Sequence, residues 1–193
     1  MQTSFIIPTG NLGNAFACFI AKEMGFPIEK IVCATNANRT IPDFLETGFW
    51  QPRPTTPTLA SAMDVGNPSN MERFFHVFDN PETLLDTLRA VSVTDEQITN
   101  QISSEYLDNQ ILCCPHTATA LHVYREFSNK EKKETHWCIV ATAHPSKFEQ
   151  TVEPIIGEEI AVPERLRALL ELDSSFVTID PELNQLIEAI ASA

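Results

Sequence analysis

A short polar loop with two glycines is the segment of this sequence best suited to bind an anion. Residues 9–14 read Thr-Gly-Asn-Leu-Gly-Asn, after an apolar run that ends at Pro8 and before an alanine-rich helical pattern. A strand, loop and helix in this order direct backbone N–H groups and the positive end of the helix dipole at one spot. Gly10 and Gly13 let the backbone approach a phosphate group closely and visit positive φ.

The loop does not match the common nucleotide-binding patterns. Its glycines are three residues apart, so it lacks GxGxxG, and it also lacks the Gly-Lys-Ser/Thr ending of a nucleoside-triphosphate loop. A tight turn that merely joins strand and helix is therefore an open alternative for this segment taken alone. Asn11 and Asn14 favour the anion site, because their side chains add donors beside the backbone N–H groups.

Two further polar segments follow predicted strands. Residues 28–34 predict a second strand, which makes the first 35 residues a βαβ unit with parallel strands. Thr35–Asn38 comes directly after that strand, and Thr142–Lys147 follows a third strand predicted at residues 136–141. Because ligands bind outside the carboxyl ends of parallel strands, we expect all three polar segments at one rim of the sheet.

The remaining pattern is mostly helical. Helices are predicted at residues 39–47, from Met71, and at 115–124, 149–156, 162–170 and 180–190, with a proline-rich loop at 49–58. Residues 81–91 and 94–107 predict two amphipathic helices, which we interpret as a helical insert at about 81–112. The charged run at 129–134 is interpreted as a solvated turn.

Composition limits the classes of function. The chain has 193 residues, which suits one domain spanning 1–193, and its net charge of −13 argues against a nucleic-acid partner. No membrane span or signal peptide is predicted, so we expect a cytoplasmic protein. The five cysteines are interpreted as reduced thiols, and no metal site is expected, even at the cluster Cys113-Cys114-Pro115-His116.

Three blocks together resemble one enzyme family. They are residues 8–14 (Pro-Thr-Gly-Asn-Leu-Gly-Asn), residues 34–45 with residues 54–64, and residues 141–148 (Ala-Thr-Ala-His-Pro-Ser-Lys-Phe). In this order and spacing they resemble the carboxyl-terminal half of threonine synthase, a pyridoxal-phosphate enzyme of the tryptophan synthase β class (fold type II). The resemblance covers residues 4 to about 190. It implies an α/β fold with a mainly parallel sheet flanked by helices, and conversion of O-phosphohomoserine and water to threonine and phosphate in threonine biosynthesis.

The resemblance also implies roles for particular residues. The loop residues would cradle the phosphate of pyridoxal 5′-phosphate, and the Thr142 hydroxyl would meet the pyridine nitrogen. His144 would orient its loop, whereas His116 is equally a cap, a packing residue or a substrate contact. The loop set is Gly10, Asn11, Leu12, Gly13 and Asn14, and the residues expected to line or support the substrate pocket are Asn36, Asn38 and Asp64.

One family feature is missing. The Phe-Lys-Asp context of the lysine that binds the cofactor covalently does not occur, nor does the family's Ser-Gly-Asp-Thr-Gly loop. Lys147 is the lysine expected nearest the site, and it matches a family lysine without that role. We therefore expect no catalytic residue of this kind in the chain, an inactive chain on its own, and a fragment or split enzyme that an amino-terminal half could complement. Two alternatives stay open: a threonine-synthase-like phospho-lyase with another product, and a non-catalytic module that binds phosphate or a partner.

Overall fold

A four-stranded parallel sheet forms the centre of the computed structural model, which describes residues 2–78, 84 and 88–192. Its order is β3-β2-β1-β4, and each neighbouring pair runs parallel. The predicted fold class, an α/β fold with a mainly parallel sheet flanked by helices, is confirmed. The strands are β1 (Thr3–Pro8), β2 (Ile28–Thr35), β3 (Arg89–Ser92) and β4 (His136–Ile139).

Helices of the unit that ends at Ile160 cover both faces of this sheet. Short 3₁₀ turns lie at Ser61–Met63 and Pro145–Phe148. The α-helices are α1 (Gly13–Glu23), α2 (Thr40–Thr47), α3 (Met71–Val77), α4 (Asp95–Asn109), α5 (Pro115–Glu126), α6 (Asn129–Glu134), α7 (Glu149–Ile156), α8 (Glu164–Leu170) and α9 (Leu183–Ala191).

Alternation along the strands produces two hydrophobic cores. Ile6 and Val32 belong to one cluster, which includes residues of α4, α5 and α7. Their chain neighbours Ile7 and Cys33 belong to the other, which includes residues of α1, α2 and α3. Successive side chains of a strand point to opposite faces of the sheet. Because a core lies against each face, both sets of side chains are buried, and the strand sequences are continuous apolar runs.

Two predictions of secondary structure are wrong. The prediction of a helix over 81–91 is wrong at its carboxyl end, because Arg89–Ser92 forms β3 and pairs with the carboxyl end of β2. Residues 79–83 and 85–87 of that region lie outside the described residues. The predicted insert thus contains a strand of the sheet, although its second helix exists as α4. Pairing with a buried neighbouring strand outweighs the local pattern here.

The solvated turn predicted at 129–134 is instead helix α6. The Ser128 hydroxyl oxygen accepts a hydrogen bond from the backbone N–H of Glu131, and the Glu131 carboxylate accepts one from the backbone N–H of Ser128. This reciprocal capping box satisfies two N–H groups that would otherwise lack partners and allows a short helix to form.

Residues from Ala161 onward form a second compact unit, separate from the unit that ends at Ile160. It holds α8 and α9, and its apolar side chains are largely exposed, among them Leu169 and Ile190. The last helix begins at Leu183 instead of residue 180.

Candidate functional site

The loop after β1 and the segment after β4 lie side by side because their strands are neighbours. The loop of residues 9–12 follows β1, and Thr142 comes shortly after β4, which pairs parallel with β1. The predicted meeting of these segments at the carboxyl ends of the strands therefore exists.

The loop owes its shape to Leu12 and Gly10. Leu12 adopts φ 63, and its side chain is 1 % exposed within the second core cluster. Gly10 is needed for close approach, since a Cβ there would lie 2.6 Å from the Met63 Cα. Neither Gly10 nor Gly13 uses the positive φ that a glycine permits. Leu12 adopts it instead, and burial of its side chain stabilises this left-handed backbone.

This loop presents a row of free donors. Among the described residues, no group accepts a hydrogen bond from the backbone N–H of Gly10, Asn11, Leu12, Gly13 or Asn14. Gly13 is the first residue of α1, so the helix dipole adds positive potential at the same place. We call residues 10–14 the N–H cradle.

The two asparagines of the cradle differ in their use. Asn11 Oδ1 accepts hydrogen bonds from the backbone N–H of Ser69 at 2.6 Å and from its hydroxyl at 3.1 Å. Asn70 Nδ2 donates to the Asn11 carbonyl oxygen at 2.7 Å. Both asparagines line the cavity, but only Asn11 also braces the loop, whereas the side chain of Asn14 is exposed.

The cradle forms one wall of a cavity of about 300 Å³, within the size range of small-molecule sites. It brings together the cradle and Thr142, as predicted, and adds His116. Its lining carries no Asp, Glu, Lys or Arg among the described residues. The lining residues are Pro8, Thr9, Gly10, Asn11, Leu12, Gly13, Asn14, Ala62, Met63, His116, Thr142, Ala143 and Phe148.

His116 is fixed in the opposite wall. Its Nε2 accepts a hydrogen bond from the backbone N–H of Ala62 at 3.0 Å, and its ring centroid lies 4.7 Å from that of Phe148. With Nε2 as acceptor, the neutral ring carries its proton on Nδ1. Nδ1 is buried and has no hydrogen-bond partner among the described residues. His116 is therefore a packed residue that also lines the cavity.

Cys114 is the functional candidate that sequence reasoning missed. It caps α5, with its Sγ accepting a hydrogen bond from the Thr117 N–H at 3.4 Å, and lies 3.9 Å from the Thr142 Oγ1. Burial would raise the pKa of this thiol, but His116, Thr117 and Thr142 outweigh burial and lower the pKa to about 6. The available signal was its place directly before Pro115, the first residue of a helix.

Asn36, Asn38 and Asp64 do not line the cavity. They form a polar network in which Asp64 Oδ1 accepts from Asn36 Nδ2 at 2.8 Å and from Thr58 Oγ1 at 2.7 Å, and Asn36 Oδ1 accepts from Asn38 Nδ2 at 3.0 Å. The network holds the proline-rich segment that leads to Ala62 and Met63. Their predicted contact with a substrate stays a prediction.

The remaining predicted polar groups are peripheral. His144 Nδ1 lies 2.7 Å from the Ser146 hydroxyl, which fixes its own loop. Lys147 is exposed, and no lysine of the described residues lines the cavity.

The described residues contain neither a cluster suited to a metal ion nor a helix suited to a membrane. No group of three or more His, Cys, Asp or Glu side chains is placed to hold a metal ion. None of the helices in the same part of the chain has the length and apolar character needed to cross a membrane.

Comparison with known proteins gives consistent matches. Residues 2–143 match the family model described as pyridoxal-phosphate dependent enzyme, and residues 117–190 match threonine synthase, C-terminal. Threonine synthase of Buchnera aphidicola subsp. Schizaphis graminum is 37 % identical over 94 % of this chain and 42 % of its own length. The chain thus spans about two fifths of the length of the curated relatives it matches.

Solved structures agree. The crystal structure of threonine synthase from Escherichia coli has a TM-score of 0.81 and 29 % identity, covering 99 % of this chain and 44 % of that one. The pyridoxal-phosphate-bound threonine synthase from Brucella melitensis has a TM-score of 0.84 and 28 % identity, covering 100 % and 46 %. The predicted resemblance is confirmed, and this chain belongs to the family of pyridoxal-phosphate dependent enzymes.

Proposed function

We propose that the chain forms the cofactor-phosphate and ring-nitrogen side of a threonine synthase, which converts O-phosphohomoserine and water to threonine and phosphate. The single observation that carries this proposal is the N–H cradle facing Thr142 across one cavity. The similarity to threonine synthases along nearly the whole chain supports the choice of reaction.

The residues present fit pyridoxal phosphate. The unpaired N–H groups of the cradle suit a phosphate dianion, since backbone donors and a helix N-terminus together bind phosphate without a basic side chain. When bound, the cofactor supplies an electron sink for carbanion chemistry. The chain's own residues bind its phosphate, exclude water through Met63 and Phe148, and hold a hydroxyl at the ring-nitrogen position through Thr142.

In this proposal the covalent lysine comes from elsewhere. No lysine of the described residues lines the cavity, and the family's lysine context is absent from the sequence. We propose that a complementing amino-terminal half supplies it, and that Asn36, Asn38 and Asp64 support the substrate side. All five cysteines are free, which favours a reducing compartment and our proposal of the cytoplasm.

A titration of the chain alone with pyridoxal phosphate tests the binding part. We expect weak binding that borohydride does not trap. Gly13→Asp should abolish binding, because the side chain fits sterically, with its Cβ position 3.7 Å from Asn70 Nδ2, yet sets a carboxylate at the phosphate position. Asn14→Ala should weaken binding roughly fivefold through loss of one donor.

Lys147→Arg serves as the control for adventitious lysine chemistry. Trapping of the cofactor on one specific lysine of this chain would overturn the claim that the lysine comes from outside. Mixing the chain with the amino-terminal half of a threonine synthase tests the reaction itself, with phosphate release and threonine measured together. Phosphate release without threonine would favour the phospho-lyase alternative, and no release with retained phosphate binding would favour the non-catalytic module.

A further inference from the structure

The 3₁₀ turn at Ser61–Met63 lies against the N–H cradle. A Cβ added at Gly10 would lie 2.6 Å from the Met63 Cα and 3.0 Å from its carbonyl carbon and oxygen, so the two backbones are in contact. Backbone packed on backbone cannot adjust by rotation of a side chain. The place of the Gly10 N–H in the cradle therefore depends on where the Met63 backbone is held.

The two ends of the segment that carries this turn are anchored by carboxylates. The Leu59 N–H donates to the Asp95 carboxylate at 3.1 Å, and the Asp64 carboxylate accepts from the Asn36 amide at 2.8 Å. Because Asp95 belongs to α4 and Asn36 follows β2, these anchors tie the segment to a helix and to the sheet. Neither of them reaches the turn itself.

The middle of the segment has a different anchor. Among the described residues, the bond from the Ala62 N–H to His116 Nε2, 3.0 Å long, is the one hydrogen bond that residues 61–63 make outside residues 60–65. The donor is a backbone N–H, so the imidazole nitrogen must be the acceptor. The direction of this bond is therefore fixed by the backbone.

The His116 ring is itself held firmly. It is 3 % exposed, it follows Pro115 in the first turn of α5, and its centroid lies 4.7 Å from that of Phe148 at an interplanar angle of 56°. A histidine side chain has two torsions, and packing against Phe148 restricts both. The acceptor nitrogen therefore has a defined place in the wall opposite the cradle.

Histidine at this position has a cost in stability. With Nε2 as acceptor the proton lies on Nδ1, which is buried and has no hydrogen-bond partner among the described residues. A buried donor without a partner destabilises the folded chain, so packing alone would favour an apolar side chain here. An acceptor present despite that cost indicates a role that packing does not explain.

We infer that His116 is a positioning residue for phosphate binding, which acts through Ala62 and Met63 to hold the Gly10 N–H where it donates to the ligand phosphate. The inference rests on the proposed function, because it needs a phosphate in the N–H cradle. It assigns His116 no proton transfer and no contact with the phosphate. Of the roles that the sequence left open for His116, it selects packing, with a consequence for the ligand.

The test compares two ligands that cannot react covalently with a lysine, pyridoxine 5′-phosphate and inorganic phosphate. Inorganic phosphate occupies the cradle without a ring, so the pair separates an effect on the cradle from a contact with the ring. His116→Leu removes the acceptor, and His116→Gln keeps one in its amide oxygen. His122→Leu is the matched control, because His122 lies on the same helix and does not line the cavity.

We expect His116→Leu to bind both ligands about fivefold more weakly than the wild type and His122→Leu. His116→Gln should recover part of the loss, because glutamine has one more torsion to fix. The unfolding free energy of His116→Leu in urea should not fall, since the unpaired Nδ1 donor is removed and Ala62 is exposed to water. In the wild type, NMR should detect nitrogen–nitrogen coupling across the bond from Ala62 to His116.

Several results would overturn the inference alone. They are an absent coupling, an unchanged phosphate affinity in His116→Leu, no recovery in His116→Gln, or a loss for pyridoxine 5′-phosphate that inorganic phosphate does not share. A destabilised or unfolded His116→Leu would show a purely structural role and would overturn it as well. Failure of every protein, the wild type included, to bind either ligand overturns the proposed function, and the inference with it.

Discussion

The two walls of the cavity offer hydrogen bonds by different means. The N–H cradle offers backbone donors, and their positions depend on the φ angles of the loop and on the absence of a side chain at Gly10. The facing wall, with His116, Thr142 and the Cys114 beneath them, offers side-chain groups whose protons depend on their neighbours. The cradle should therefore be sensitive to added atoms and insensitive to pH, while the facing wall should be sensitive to charge.

The largest expected effect is a pH dependence confined to the facing wall. The pKa of Cys114 falls from 9.0 to about 6 on folding, so the unfolded chain binds more protons between these values. Stability from this group is therefore full above pH 9 and is lost as the pH falls through 6. Relative to Cys114→Ser, the wild type should gain about 1.4 kcal/mol per pH unit in that window, measured by urea unfolding.

Cys113→Ser provides the matched comparison for this titration. In the wild type, burial raises the pKa of the Cys113 thiol to about 12, so this thiol stays protonated in the folded and unfolded states below pH 8 and its removal should not change the pH dependence. If the unfolding free energies of Cys114→Ser and Cys113→Ser changed equally with pH, the charge would not reside on Cys114. The predicted difference in pH sensitivity between the two walls would then be wrong.

The second effect belongs to the cradle. Gly10→Ala places a Cβ 2.6 Å from the Met63 Cα, a backbone atom that cannot turn aside. We expect a loss of about 3 kcal/mol in unfolding free energy, since overpacking forces a backbone shift. Gly13→Ala is the steric control, because its Cβ has ordinary contact distances. Equal stability of the two variants in urea would contradict the packing of the cradle against Met63.

The ends of the strands could be predicted from the sequence, but the hydrogen-bond partners of Cys114 could not. Apolar runs such as residues 5–7 and 31–33 predicted the buried strands, and parallel strands bring their carboxyl ends to one rim whatever the side chains are. The place of positive φ could not be predicted, because Leu12 is held there by burial in a core built from distant helices. The role of Cys114 depends on Thr142, 28 positions away along the chain, and no local pattern reports that contact.

A third test concerns the support of the facing wall. Asp64→Ala removes the acceptor shared by Asn36, Asn38 and Thr58. The two asparagine amides keep other acceptors, but the partly buried N–H and hydroxyl of Thr58 lose the carboxylate to which both donate. We expect about 2 kcal/mol of destabilisation, because unmade buried hydrogen bonds cost more than made ones contribute. Asp64→Asn keeps the shape and one acceptor oxygen, so it should cost less. Thermal unfolding at one pH compares them, and an equal loss for both would assign the effect to charge alone.

The smallest expected effect concerns Asn11, whose side chain holds the backbone of the cradle in place. Asn11→Ala removes the acceptor of the Ser69 N–H and hydroxyl and should cost about 1 kcal/mol of stability. Ser69→Ala keeps the N–H bond at 2.6 Å and should cost less than half as much. Phosphate affinity, followed by competition with pyridoxine phosphate, should fall only two- to threefold in Asn11→Ala, roughly the effect of loosening donors without removing any. A loss as large as that of Gly13→Asp would mean that the Asn11 amide itself binds phosphate, and Asn11 would then be a ligand of the phosphate and not only a brace of the loop.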